Sequence, residues 1–255
     1  DAFGFDANLS GDTLVVGAYL EDSSQSFITN GTTASADNGI SGAGAAYIYR
    51  RTGTSWAQEA YIKPSNQYQL CNNTLNGINF GKSVTISGDL LAVAAPYECS
   101  NQISITQGTA ASKSGSLYGS GAVYVFMRSG ANWRQTAYIK ASNNVWSYTY
   151  FGTAIQISAD TLAVGSYGDD GIQYAITNGT SSSTSVQLYL NGTWVYGSSS
   201  GAAFIYRNSS GVWQQEAYIK ASNMESSDNF GSSLSLSGDS LAVSALNEDS
   251  NQNTI

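Results

Sequence analysis

The chain has 255 residues with 10 Lys and Arg, 18 Asp and Glu, no His and two Cys, for a formal net charge of −8. Without His there is no Ser-His-Asp triad and no imidazole acid–base or metal chemistry; two Cys cannot build a four-thiolate zinc site; and the acidic balance argues against nucleic acid as a partner. Ser, Thr, Gly and Asn supply 106 residues, yet 30 aromatics and evenly spaced Val, Ile and Leu point to a folded chain, of a length that suits one all-β domain of about 200–250 residues, and no apolar run reaches the roughly 18 residues of a membrane span.

The chain opens on Asp1-Ala2-Phe3-Gly4 with neither Met nor a signal peptide, and is expected to be a mature or cut piece of a longer product. Phe-Gly then recurs at Phe80-Gly81, Phe151-Gly152 and Phe230-Gly231. Each pair leads into a first strand, a tight turn (Gly11-Asp12, Gly88-Asp89, Ala159-Asp160, Gly238-Asp239) and a second strand ending near Gly17, Ala94, Gly165 or Ser244. The apolar period is two, β-branched and aromatic residues dominate, and Gly costs nothing at the positive φ such turns need. A long Ser/Thr/Asn/Gly loop follows. The third strand is written Tyr47-Ile48-Tyr49, Tyr124-Val125-Phe126 or Phe204-Ile205-Tyr206, and the fourth runs from Trp56, Trp133 or Trp213 to Tyr61-Ile62-Lys63, Tyr138-Ile139-Lys140 or Tyr218-Ile219-Lys220. The reading divides the chain into repeat 1 over 1–79, repeat 2 over 80–150, repeat 3 over 151–229 with an extra hairpin at 186–196, and the first half of repeat 4 over 230–255.

Four antiparallel strands per long repeat predict an all-β, β-propeller-like fold of three and a half blades. The units resemble the FG-GAP repeats of integrin α-subunit propellers, through the Phe-Gly pairs and the weaker ends Gly17-Ala18-Tyr19 and Ala94-Ala95-Pro96. The texts Glu21-Asp22-Ser23 and Thr29-Asn30-Gly31-Thr32, echoed at Glu248-Asp249-Ser250 and Thr177-Asn178-Gly179-Thr180, are similar to a long-loop variety found in secreted microbial proteins. The resemblance implies an extracellular location. It departs from integrins in one respect: the turn between strands one and two holds one acid, too few oxygens for a calcium loop. No metal, cofactor or catalytic residue is therefore expected. Asp169-Asp170-Gly171, the nearest acidic cluster, reads as a solvated turn. Fourteen strands do not make an ordinary closed ring, so the assembly is expected to be open or completed by neighbouring chain.

By strand parity the long loops share one face, where binding is expected. The hairpin about Asn191-Gly192 would project from it and show Tyr189, Trp194 and Tyr196, as a sugar-stacking or, preferably, a docking arm. Cys71 and Cys99 flank one blade on that face and are read as a disulfide, which again implies an oxidising compartment. The sequons at Asn30, Asn72, Asn178, Asn191 and Asn208 fall in loops or turns suited to glycans; Asn8, within a strand, is the doubtful one. Acids such as Asp12, Asp89, Asp160 and Asp239, or Glu59 and Glu216, repeat from unit to unit, whereas a catalytic site is built once. The expected function is a non-enzymatic extracellular glycoprotein acting as a self-assembling structural scaffold or filament element, whose partners are further copies or the rest of a longer repeat chain. The alternative is an integrin-like adhesion or ligand-binding propeller recognising glycans or a cell-surface ligand, and less so a carboxylate glycosidase.

Overall fold

The computed structural model describes residues 1–67, 70–71, 74–75, 77–113, 115–190 and 192–250, with the backbone alone at Leu70, Cys71, Thr74, Leu75 and Leu190. Among the described residues the regular structure is β throughout, and no helix is long and apolar enough to cross a membrane.

In chain order the first unit holds β1 (Phe3–Ser10), β2 (Thr13–Ala18), β3 (Thr29–Asn30), β4 (Ala45–Thr52) and β5 (Ser55–Ile62). A small pair, β6 (Leu70–Cys71) and β7 (Thr74–Leu75), precedes the second unit, formed by β8 (Val84–Ser87), β9 (Leu90–Ala95), β10 (Thr106–Gln107), β11 (Ala122–Ser129) and β12 (Asn132–Ile139). The third has β13 (Ile155–Ser158), β14 (Thr161–Ser166), β15 (Ile176–Asn178), the hairpin β16 (Gln187–Leu190) and β17 (Thr193–Tyr196), then β18 (Ala202–Ser209) and β19 (Val212–Ile219). β20 (Phe230–Ser237) and β21 (Ser240–Ala245) follow.

Three antiparallel sheets of equal order result: β1-β2-β4-β5-β3, β8-β9-β11-β12-β10 and β13-β14-β18-β19-β15; β20 and β21 form a two-stranded sheet. Each blade thus has the expected four strands and one more. Thr29-Asn30, Thr106-Gln107 and Ile176–Asn178, all from the long loop, pair with the outer edge of the fourth strand. That short strand occupies backbone groups an edge would otherwise leave open. The extra hairpin forms as read, with Gly192 at φ +86° and Asn191 outside the described residues.

The blades bury their apolar residues face to face. Val15, Ile48 and Ile62 of the first pack against Phe80, Ile86, Tyr124, Phe126 and Trp133 of the second; Ala92, Ala94 and Val125 of the second meet Phe151, Ile155, Phe204 and Trp213 of the third. The Phe-Gly pair is the joint. Phe80 bridges to Gly44 of the preceding blade, and a Cβ on Gly81 would lie 2.2 Å from the Ala45 carbonyl oxygen, so only glycine permits this approach. Phe5-Asp6, Lys82-Ser83, Thr153–Gln156 and Ser232–Leu234 line one cavity of about 290 Å³, so the first strands of all four units converge on a common channel.

Candidate functional site

Side chains of the first strands lace the blades together at this channel. Asp6 Oδ2, Asn8 Oδ1 and Ser10 Oγ accept from the backbone N–H groups of Val84 (2.8 Å), Ile86 (3.1 Å) and Gly88 (3.0 Å). Thr85 and Ser87 repeat the pattern towards Ile157 and Ala159. These polar positions of strand one serve the edge of the next blade.

The acids of the tight turns are held by arginines. Arg51 donates to Asp12, Arg128 to Asp89 and Arg207 to Asp160. Among the described residues no three His, Cys, Asp or Glu side chains come together as metal ligands would.

The lysine that closes each Tyr-Ile-Lys text has a role that sequence reading missed. Lys63 donates to Glu21 (2.5 Å), Lys140 to Glu98 (2.5 Å) and Lys220 to Asp169 (3.2 Å), and all six groups are buried. Lys140 also reaches Ser120 Oγ (2.9 Å) and the Gly121 carbonyl, and Lys220 reaches Ser200 Oγ (2.7 Å). Burial pushes all three lysines below the ordinary ammonium range, and the partner carboxylates pull the other way. Each pair pins the end of strand four to the start of the long loop. Asp169 is accordingly no solvated turn. It is buried and also accepts from Tyr218 Oη and Asn143 Nδ2, each at 2.7 Å, because it stands in register with Glu21 and Glu98. The signal was available: an acid in phase with a lysine in three consecutive units.

Two further contacts cross between blades at the outer rim. Asn30 Oδ1 accepts from the Trp133 backbone N–H at 2.8 Å, and Gln107 Oε1 from that of Trp213 at 3.3 Å. Glu59 Oε1 accepts from Trp133 Nε1 at 2.8 Å and lies 3.6 Å from Arg128. Glu216 instead pairs with Arg207 of its own sheet.

The remaining sequence-predicted positions fall as follows. Asn8 and Asn30 are engaged as described; Asn178 stands exposed at the outer edge of the third blade; Asn208 Oδ1 accepts from Gly211 N within its own turn. Asn72 and Asn191 lie outside the described residues. Cys99 is fully buried and is not a free thiol, while the side chain of Cys71 lies outside the described residues.

The long-loop face carries two aromatic features. Tyr97, Tyr118, Tyr148, Tyr150 and Tyr167 pack on one another, with Tyr150 and Tyr167 stacked at 5.0 Å. Tyr150 takes φ +52°, at the position where the neighbouring units place Asn79 and Asn229; a bulky residue there is strained. On the extra hairpin, Tyr189, Trp194 and Tyr196 are all exposed, and Tyr189 packs on Trp194 at 5.0 Å. The hairpin borders a groove of about 600 Å³ lined by Tyr174, Trp194, Tyr196, Asn223, Glu225 and Ser226, among others.

A family model described as FG-GAP repeat matches residues 133–189 and 213–254. Both matches begin at the Trp of a fourth strand, so the sequence repeat is offset from the sheet, which begins at Phe-Gly. No curated protein matches the chain.

Proposed function

Given that the chain is an FG-GAP repeat protein of propeller-like build, we propose that it is a non-enzymatic extracellular glycoprotein whose blades continue head to tail into further copies or the rest of a longer repeat chain, as a structural scaffold or filament element. One observation carries this reading. The free side of the first blade shows Phe3 (55% exposed), Leu9 (59%) and Trp56 (44%), in the positions where the second blade buries Phe80, Ile86 and Trp133 against its predecessor. At the other end of the molecule, Ser235, Ala242 and Ser244 line a shallow depression on β20–β21. Ala242 and Ser244 hold the places of Ala92 and Ala94, which pack with Phe151 across an established interface. The side bearing Phe3 and Leu9 and the side bearing Ala242 and Ser244 are different surfaces, as a heterologous contact requires; repeated, such a contact closes a ring or propagates a filament.

The repeated acids support a non-enzymatic reading, because Asp12, Asp89, Asp160, Glu21, Glu98 and Asp169 are all committed to ion pairs. The test is sedimentation or light scattering across concentration. The wild type is expected to associate, and Leu9→Glu to remain a monomer. A wild-type monomer at every concentration would sink the association of copies.

A further inference from the structure

We propose that the groove beside the extra hairpin binds an uncharged saccharide. The hairpin is present in the third unit alone among the described residues. A contact between blades would recur in every unit; a ligand site is built once. The groove lies between the hairpin and the loop that leads to the fourth unit, and its volume of about 600 Å³ is that of a small-ligand cleft.

Hydrogen bonds tie its walls together. Gly197 N donates to the Val186 carbonyl (3.1 Å), Ile172 N to that of Ser185 (2.7 Å) and Ser227 N to that of Ser198 (2.8 Å). Ser226 Oγ ties the loop to the hairpin through the Tyr196 carbonyl at 2.7 Å. Asn223 is held by Glu248 at 3.0 Å. Preorganised walls reduce the entropy lost on binding.

The lining sets the ligand class. Tyr174, Trp194 and Tyr196 offer exposed ring surface to the C–H faces of a pyranose. Glu225 and Asn223 offer polar groups to its hydroxyls. Among the described residues no Lys or Arg lines the groove, and the chain carries a net charge of −8, which disfavours an anionic glycan.

The test is titration of the whole chain with neutral trisaccharides (cellotriose, mannotriose and chitotriose), followed by tryptophan fluorescence and calorimetry, with trilysine as the charged control. At least one trisaccharide is expected to bind saturably. Trp194→Ala and the shape-preserving Glu225→Gln should each weaken it by about tenfold or more, while Leu9→Glu, which separates copies, leaves it intact. No saturation by about 10 mM sugar, affinity unchanged in both groove variants, or binding of trilysine alone would overturn the assignment. Self-association is read separately, so failure of the groove leaves the assembly reading standing.

Discussion

Asn30 of the first blade accepts the backbone N–H of Trp133 in the second at 2.8 Å, and its amide nitrogen lies 3.4 Å from the carbonyl oxygen of the same residue. One side chain thus meets both polar groups of a residue in the next sheet. Gln107 does the same for Trp213. Asn30→Ala should therefore cost about 1–2 kcal/mol, whereas Asn30→Gln should cost little, as read by denaturant melts. Both variants remove the sequon, so their difference isolates the clamp from any glycan.

That geometry also sorts the sequons. Glycosylation at Asn8 or Asn30 would place a sugar where the side chain meets the neighbouring blade. Glycopeptide mass spectrometry of protein made in a secretory host is expected to find Asn178 and Asn208 occupied, and Asn8 and Asn30 bare. Full occupancy at Asn30 in folded protein would contradict the clamp.

Trp133 and Trp213 occupy equivalent buried sites with unequal partners. The first indole N–H reaches Glu59, but Thr136 stands at the corresponding position of the second unit, and Trp213 Nε1 has no partner. Thr136→Glu should supply the acceptor and bring a carboxylate towards Arg207. A gain of about 1 kcal/mol is expected in chemical denaturation; a loss would show that the side chain cannot reach.

A Cys71–Cys99 bridge would close a loop of about 28 residues and contribute about 3 kcal/mol. Cys99→Ser, or reduction of the wild type, should lower the melting temperature, and reductant should then have no further effect on Cys99→Ser. Thiol counting on unfolded, unreduced protein should find none.

Stability should turn over at alkaline pH. Burial pushes Tyr124, Tyr138 and Tyr206 well above the ordinary phenol range, and Tyr150 up to about 12. Above pH about 10 the unfolded chain loses these protons and the folded one keeps them, so stability falls, by about 1.4 kcal/mol per pH unit for each fully buried phenol. The buried lysines act with the opposite sign: their lowered values make stability rise with pH up to about 10.4 and stay flat beyond it. Melts across pH 8 to 12, with phenolate absorbance, should show stability climbing or level to about pH 10 and dropping steeply after it.

The blade itself was legible in the chain. Phe-Gly, the turns at Gly11 and Gly88 and the Tyr-Ile-Lys ends recur in phase, and a two-residue apolar period specifies which side of each strand is buried, because a slip of one residue would turn every side chain over. Tertiary structure decided what the polar repeats do. Lys140 and Glu98, 42 positions apart, meet when the strands of one blade pair, and Asn30 and Trp133, 103 apart, meet only when sheets stack; neither contact is local. Asp169 looks like a solvated acid until Lys220 and Tyr218 close over it. Asn8 stands apart from the loop sequons because it lies within a strand, but only the edge of the next blade shows its partner, the Ile86 N–H. Composition and period act locally and determine strands and turns. The partners of buried polar groups follow from packing, which removes water and leaves each donor to be satisfied by whatever the neighbouring blade presents.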